Sequence, residues 1–211
     1  MFIYEIVLKS FKSAFMDAIQ RSTGKPDTRK VENKRRSAEF VECLAGELRK
    51  YYQEEDRYRV LSKQYSNESH NDFGLNELLY DIFVCKIDHI NAVRKTDAEL
   101  VFVKEGIWAI ESEMAKNTRE MLYDFNKLLV SSSRSKLFVG PLSSYNDETL
   151  ALLNNTAKKS LCNGTFYFTL IPHPDDWEKI EAFNQEKSAI DNLSLDDLGI
   201  RTEMYTGRHP V

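Results

Sequence analysis

Glycine and proline are scarce in this chain, at 8 and 5 of 211 residues, so long disordered linkers and collagen-like or low-complexity architectures are excluded. No internal repeat is present. Cysteine is scarcer still. Cys43, Cys85 and Cys162 are far apart, odd in number and set in apolar company, which argues against a disulfide framework and for reduced core thiols in a cytoplasmic protein. No apolar run approaches the roughly eighteen residues of a membrane span. The segment Met1 to Gln20 carries Glu5, Lys9, Lys12 and Asp17 within its apolar pattern, so it reads as an amphipathic element and not as a signal peptide. There is also no large excess of charge. With 29 Lys and Arg against 33 Asp and Glu the net charge is −4, which excludes a basic coat but leaves room for a local basic patch. Neither CxxC, a Walker loop, GxGxxG nor GxSxG occurs, and the four histidines show no metal-ligand spacing.

What is present is a chain of one domain's length with periodic segments. A first element covers residues 2 to 20. A helix runs from Val31 or Ser37 to Tyr52, its stripe formed by Phe40, Leu44, Leu48 and Tyr51. Arg57 to Tyr65 suits a strand, and Ser66 to Gly74 reads as a polar loop. Leu78 to Ile87 reads as a strand, and Leu100 to Met114 as a hairpin turning near Glu105-Gly106. Asn117 or Thr118 caps a helix whose stripe is Met121, Leu122, Phe125, Leu128 and Leu129. A strand Lys136 to Leu142, a helix Asp147 to Lys159 and a strand Thr165 to Pro172 follow. Glu178 to Glu186 has helical character, and the remainder to Val211 is a tail or an edge of the fold. The order implies a single mixed α/β domain, a central mixed sheet flanked by helices. Residues 1–36 form an N-terminal helix and basic segment, 37–172 the core, and 173–211 a C-terminal extension.

Chemistry concentrates in the carboxylates. With 33 acidic residues, about five acid-x-acid pairs are expected at random, so spacing alone says little. Context separates Glu111-Ser112-Glu113 from the others. Residues two apart on a strand share a face, and this pair ends the run Ile107-Trp108-Ala109-Ile110. Asp81 likewise interrupts the apolar Leu78 to Ile87. Buried carboxylates need a partner or a cation. Asp81, Glu111 and Glu113 on adjacent strands would form an oxygen-rich cluster suited to Mg²⁺ or Mn²⁺. The competing reading puts all three at strand ends facing solvent. Glu77, four residues before Asp81, is either a further member of the cluster or an exposed loop acid.

The order helix, strand, Asp-bearing strand, acid-x-acid strand, helix, strand resembles the PD-(D/E)XK nuclease superfamily, the restriction-endonuclease-like fold, over about Ser37 to Leu142. Asp81 matches the first element of its signature and Glu111 the second. Glu113 stands where lysine is usual, as in the BamHI type of restriction endonuclease, and the following helix carries Asn126-Lys127-Leu128-Leu129 as that type does. The resemblance implies Mg²⁺- or Mn²⁺-dependent hydrolysis of DNA by a metal-activated water. Asp81, Glu111 and the Ser112 carbonyl would hold the ion, and Glu113 would orient water or bind a second ion. Lys104 and Lys116 are the lysines that could replace the missing one in space. A first-helix glutamate would be Glu39 or Glu47. The alternative is a catalytically inactive member that binds nucleic acid or a protein partner.

The segment Lys25, Arg29, Lys30, Lys34, Arg35 and Arg36, opposed by Asp27 and Glu32, carries about +4 and suits a DNA backbone, or else is a solvated helix start. Cleavage of both strands is served best by two sites about a two-fold axis, so a homodimer fits this reading. His173-Pro174-Asp175-Asp176 reads as a loop.

Overall fold

A computed structural model of the chain describes residues 2–22, 28–53, 56–63, 67–75, 77–92, 99–180 and 193–207. The elements are α1 (Phe2–Ser22), α2 (Arg29–Tyr52), β1 (Tyr58–Ser62), α3 (Asn67–Phe73), β2 (Ile82–Ile90), β3 (Leu100–Ser112), α4 (Thr118–Val130), β4 (Ser135–Pro141), α5 (Asn146–Lys159), β5 (Thr165–Ile171), a 3₁₀ helix (Pro174–Lys179) and β6 (Arg201–Thr206). All six strands form one sheet in sequence order. β2 runs antiparallel to both β1 and β3, β3, β4 and β5 run parallel, and β6 closes the far edge antiparallel to β5. The mixed α/β architecture expected from the element order is the one observed. Among the described residues, no helix is long and apolar enough to cross a membrane.

Helices cover both faces. One core sets Val7, Phe11 and Phe15 of α1 and Phe40, Leu44 and Leu48 of α2 against Val84, Trp108, Ile110, Leu137 and Val139. The other sets Met121, Phe125 and Leu128 of α4 and Leu150 and Leu153 of α5 against Phe83, Ala109, Phe138, Phe166 and Phe168. β4 and β5 lie between the two cores, which is why they read as continuous apolar runs. α4 starts where expected: the Asn117 side chain accepts a hydrogen bond from the Arg119 amide. The three cysteines are free.

The described residues of both terminal parts pack on the body of the fold. Phe11 and Phe15 of α1 pack edge-on against Trp177 of the 3₁₀ helix, with centroids 5.2 and 5.9 Å apart. Trp177 is fully buried and donates its indole N–H to the Pro172 carbonyl at 2.8 Å. Tyr4 donates to the carbonyl of Glu203 on β6. His173 caps the 3₁₀ helix, its Nδ1 accepting from the Asp175 amide at 3.0 Å, so the His-Pro-Asp-Asp stretch is ordered structure.

Three expectations are corrected. Leu100 to Ser112 is one strand and not a hairpin. Gly106 sits in its middle, opposite Cys85, between two bulges in the β2–β3 register. A Cβ at Gly106 would stand 2.6 Å from Ser133 Oγ, so the glycine serves close approach of the α4–β4 connection and not a turn. The stretch read as a polar loop contains α3. Residues 174–179 form the 3₁₀ helix, and most of the helix expected at 178–186 lies outside the described residues.

Candidate active site

β3, β4 and β5 are parallel, so their carboxyl ends meet at one end of the sheet. β2 enters from the same end. In open α/β sheets ligands bind beyond such strand ends. Glu111 lies at the end of β3, where Ile110 pairs with Ile82 at the start of β2. Asp81 immediately precedes that start. The chain reaches it through a three-residue turn in which the Tyr80 amide donates to the Leu78 carbonyl at 2.8 Å and Leu79 takes φ +65°. That is the strained form of the γ-turn. Asp81 is thereby brought to β3, where its Oδ2 accepts from the Ser112 amide at 2.8 Å.

Among the described residues Glu111 is the most enclosed acid, 1% exposed, and it faces α4 from the same side of the sheet as Ala109. Its Oε2 receives the Lys127 ammonium at 3.1 Å, while its buried Oε1 has no hydrogen-bond partner. Lys127 also reaches Asp124 Oδ1 at 2.7 Å. Glu113 is half-buried beside the same flank of α4, and its Oε1 accepts from the Ala115 amide at 2.6 Å. Glu77 is exposed.

The electrostatics follow from this crowding. Burial, and then the neighbouring Asp81, push the Glu111 carboxyl up to about 8 although Lys127 opposes the shift. Burial also raises Asp81, against the pull of the Ser112 amide. Burial and contact with Asp124 raise Glu113. Burial disfavours the charge on Lys127, yet its hydrogen bonds to Asp124 and Glu111 hold the ammonium above the ordinary lysine range. Asp81, Glu111 and Asp124 thus crowd a single ammonium, and Glu113 presses on Asp124 beside them.

Asp81 and Glu111 are neighbours, as expected, and Glu113 lies close by, but the three do not share a metal position. Among the described residues no three His, Cys, Asp or Glu side chains are arranged to hold a metal ion. The reason is local: Asp81 is taken up by the Ser112 amide, Glu111 by Lys127, and Glu113 by the Ala115 amide. The donor set still fits a hard divalent cation, because all donors are oxygen and Glu111 Oε1 is buried without a partner.

Sequence reasoning assigned no role to Asp124 or Lys127. They lie on the polar flank of α4, i and i+3, and the signals were their place on the helix after the acid-x-acid strand and, for Lys127, the Asn126-Lys127-Leu128-Leu129 run of the resemblance. Lys104 pairs with Asp88 at 2.6 Å on the other half of β3, and Lys116 faces Asp176 at 3.5 Å, so neither joins the cluster. Glu47 pairs with Lys9 at 2.5 Å on the α1 side, and Glu39 approaches Cys43 at 3.9 Å on the same helix, so neither reaches it.

The basic segment is only partly a surface for phosphate. Arg36 is 3% exposed: it pairs with Glu32 at 3.0 Å and Glu178 at 2.6 Å, and donates to the Pro174 carbonyl at 2.8 Å. Arg35 pairs with Asp17 at 3.0 Å and with Glu32, and Arg29 with Asp175 at 2.8 Å. The expectation that all these arginines grip a backbone is corrected on this point, since Arg36 ties α2 to the 3₁₀ helix. Lys30 and Lys34 are exposed, and Lys25 lies outside the described residues.

Fold and site together define a three-layer mixed α/β protein with a buried, lysine-bridged carboxylate cluster at the carboxyl ends of its parallel strands. Comparison of the chain with protein-family models, curated proteins and solved structures finds no match.

Proposed function

We propose that this chain is a divalent-metal-dependent phosphodiesterase acting on DNA, with a restriction-endonuclease-like core. The observation that carries the reading is Glu111: a fully buried carboxyl at a strand end, one oxygen without a partner, beside Asp81 and sharing one ammonium with Asp124. Such a cluster has an excess of acceptors that protons or cations must satisfy. Asp81, Glu111 and the Ser112 carbonyl are the groups that would hold Mg²⁺ or Mn²⁺. A bound ion would supply Lewis acidity and acidify a water toward neutral pH.

The chain's own residues supply the rest. The Ser112 amide fixes Asp81 in one orientation. Glu111, raised to about 8, takes up or yields a proton near neutral pH. Lys127 brings the positive charge that the acid-x-acid signature lacks at Glu113, and on a half-exposed helix face it can steady a phosphate oxygen. Exposed Lys30 and Lys34 would add salt-sensitive contacts to the backbone.

Nicking of supercoiled plasmid in Mg²⁺ or Mn²⁺ tests the reading. Wild type should cleave, while Asp81→Ala and Glu111→Gln should lose at least about a hundredfold in rate. Undiminished cleavage by Asp81→Ala overturns it. One observation favours the alternative of an inactive binding module: the Lys127 ammonium bridges Glu111 and Asp124. Calorimetry with Mg²⁺ on wild type and Glu111→Gln separates the two, since the inactive module binds no ion.

A further inference from the structure

We infer that the cation seat of this cluster lies between Glu111 and Asp124, and that the Lys127 ammonium holds that seat in the metal-free protein and yields it to a divalent ion. The inference rests on the reading of the cluster as a metal site, and it replaces Glu113 by Asp124 in the ligand set.

Lys127 Nζ stands 3.1 Å from Glu111 Oε2 and 2.7 Å from Asp124 Oδ1, so two carboxylates from different elements already aim at one point. Glu111 is 1% exposed, and beside the oxygen that meets Lys127 its Oε1 is buried without a hydrogen-bond partner. Asp81 lies next to Glu111, held at the Ser112 amide. Glu113 accepts from the Ala115 amide and meets the cluster at Asp124. Mg²⁺–oxygen distances are about 2.1 Å and Ca²⁺–oxygen distances about 2.4 Å, so an ion at this point would draw the two carboxylates inward by less than about 1 Å each. Two carboxyl groups meet the one ammonium, with Asp81 beside Glu111, so the seat has more acceptor oxygens than a single ammonium fills, which favours a doubly charged occupant. Lys127 has room to leave. Its side chain is 46% exposed, and its flexible stem carries the ammonium to water. Once displaced, it stays tethered at the rim of the seat, where an arriving phosphate would meet it. Lysine and metal compete for one place, so removal of the ammonium should tighten metal binding.

Mn²⁺ binding to the full chain, read by electron paramagnetic resonance of the free ion, tests this. Lys127→Met should bind Mn²⁺ at least about tenfold tighter than wild type. Adding Asp124→Asn to Lys127→Met should abolish that gain, and adding Glu113→Gln should preserve it. If wild type binds Mn²⁺ and Lys127→Met binds no tighter, or if the gain survives Asp124→Asn, the seat is overturned while the phosphodiesterase reading stands. Binding by Lys127→Met alone overturns the yielding of the seat by Lys127 and counts against an active wild-type enzyme. Binding by neither overturns both. The wild-type chain provides a check that needs no substitution. Mg²⁺ should increase acylation of the Lys127 amine, read by mass spectrometry, and unchanged reactivity overturns the proposal.

Discussion

At the residue scale, burial of Glu111 carries a pH signature. The native state holds its proton up to about pH 8, whereas an unfolded glutamate releases it near 4.5. Between those values the native state binds more protons than the unfolded one, so this group's contribution to stability is full below about 4.5 and is lost as the pH rises through 8. Glu111→Gln, which keeps the shape without the charge, should therefore unfold at higher urea than wild type at pH 8.5. A gain of about 1–3 kcal/mol is expected, closing toward pH 4.5. Leu79 offers a second residue-scale test. It is exposed and sits at φ +65°, so Leu79→Gly should stabilise the chain by about 0.5–1 kcal/mol in urea melts. Asp81 and Glu111 were legible in the sequence because an acid inside an apolar run is conspicuous. Lys127 was not, because an exposed lysine on an amphipathic helix looks like any other until the strand beneath it is in place.

At the scale of elements, legibility tracked burial. β4, β5 and α4 were readable from apolar runs and an apolar stripe, since packing demands those patterns directly. β6 and α3 were not. Arg201–Thr206 is an edge strand of mixed character, and Asn67–Phe73 is a short polar helix, so neither imposes a period on its residues. Glu105-Gly106 misled because glycine marks turns and close approaches alike, and only the position of Ser133 distinguishes them. Gly106→Ala should therefore destabilise the chain by about 1–3 kcal/mol through its 2.6 Å encounter with Ser133 Oγ, measured by urea unfolding. α1 should behave as core and not as an appendage. Phe11→Ala, emptying a fully buried position against Trp177, should cost about 3–5 kcal/mol in the same measurement.

At the scale of the whole molecule, substitution can separate the structural role of the basic segment from the DNA contacts proposed for it. Arg36→Met removes a buried guanidinium that links α2 to the 3₁₀ helix, leaving Glu178 and Glu32 able to reach water. It should cost about 2 kcal/mol, below the usual figure for a broken buried pair. Lys30→Ala with Lys34→Ala should leave the melting midpoint unchanged and, on the proposed function, weaken DNA binding with a shallower salt dependence. The packing of α1 on Trp177 also has a consequence during synthesis. Roughly 160 residues separate Phe15 from its aromatic partner, so at about 5–20 residues per second the growing chain carries an apolar helix face without its native cover for roughly 10–30 s. A ribosome-bound fragment ending before Trp177 should therefore be a client for chaperones, and the complete chain should not.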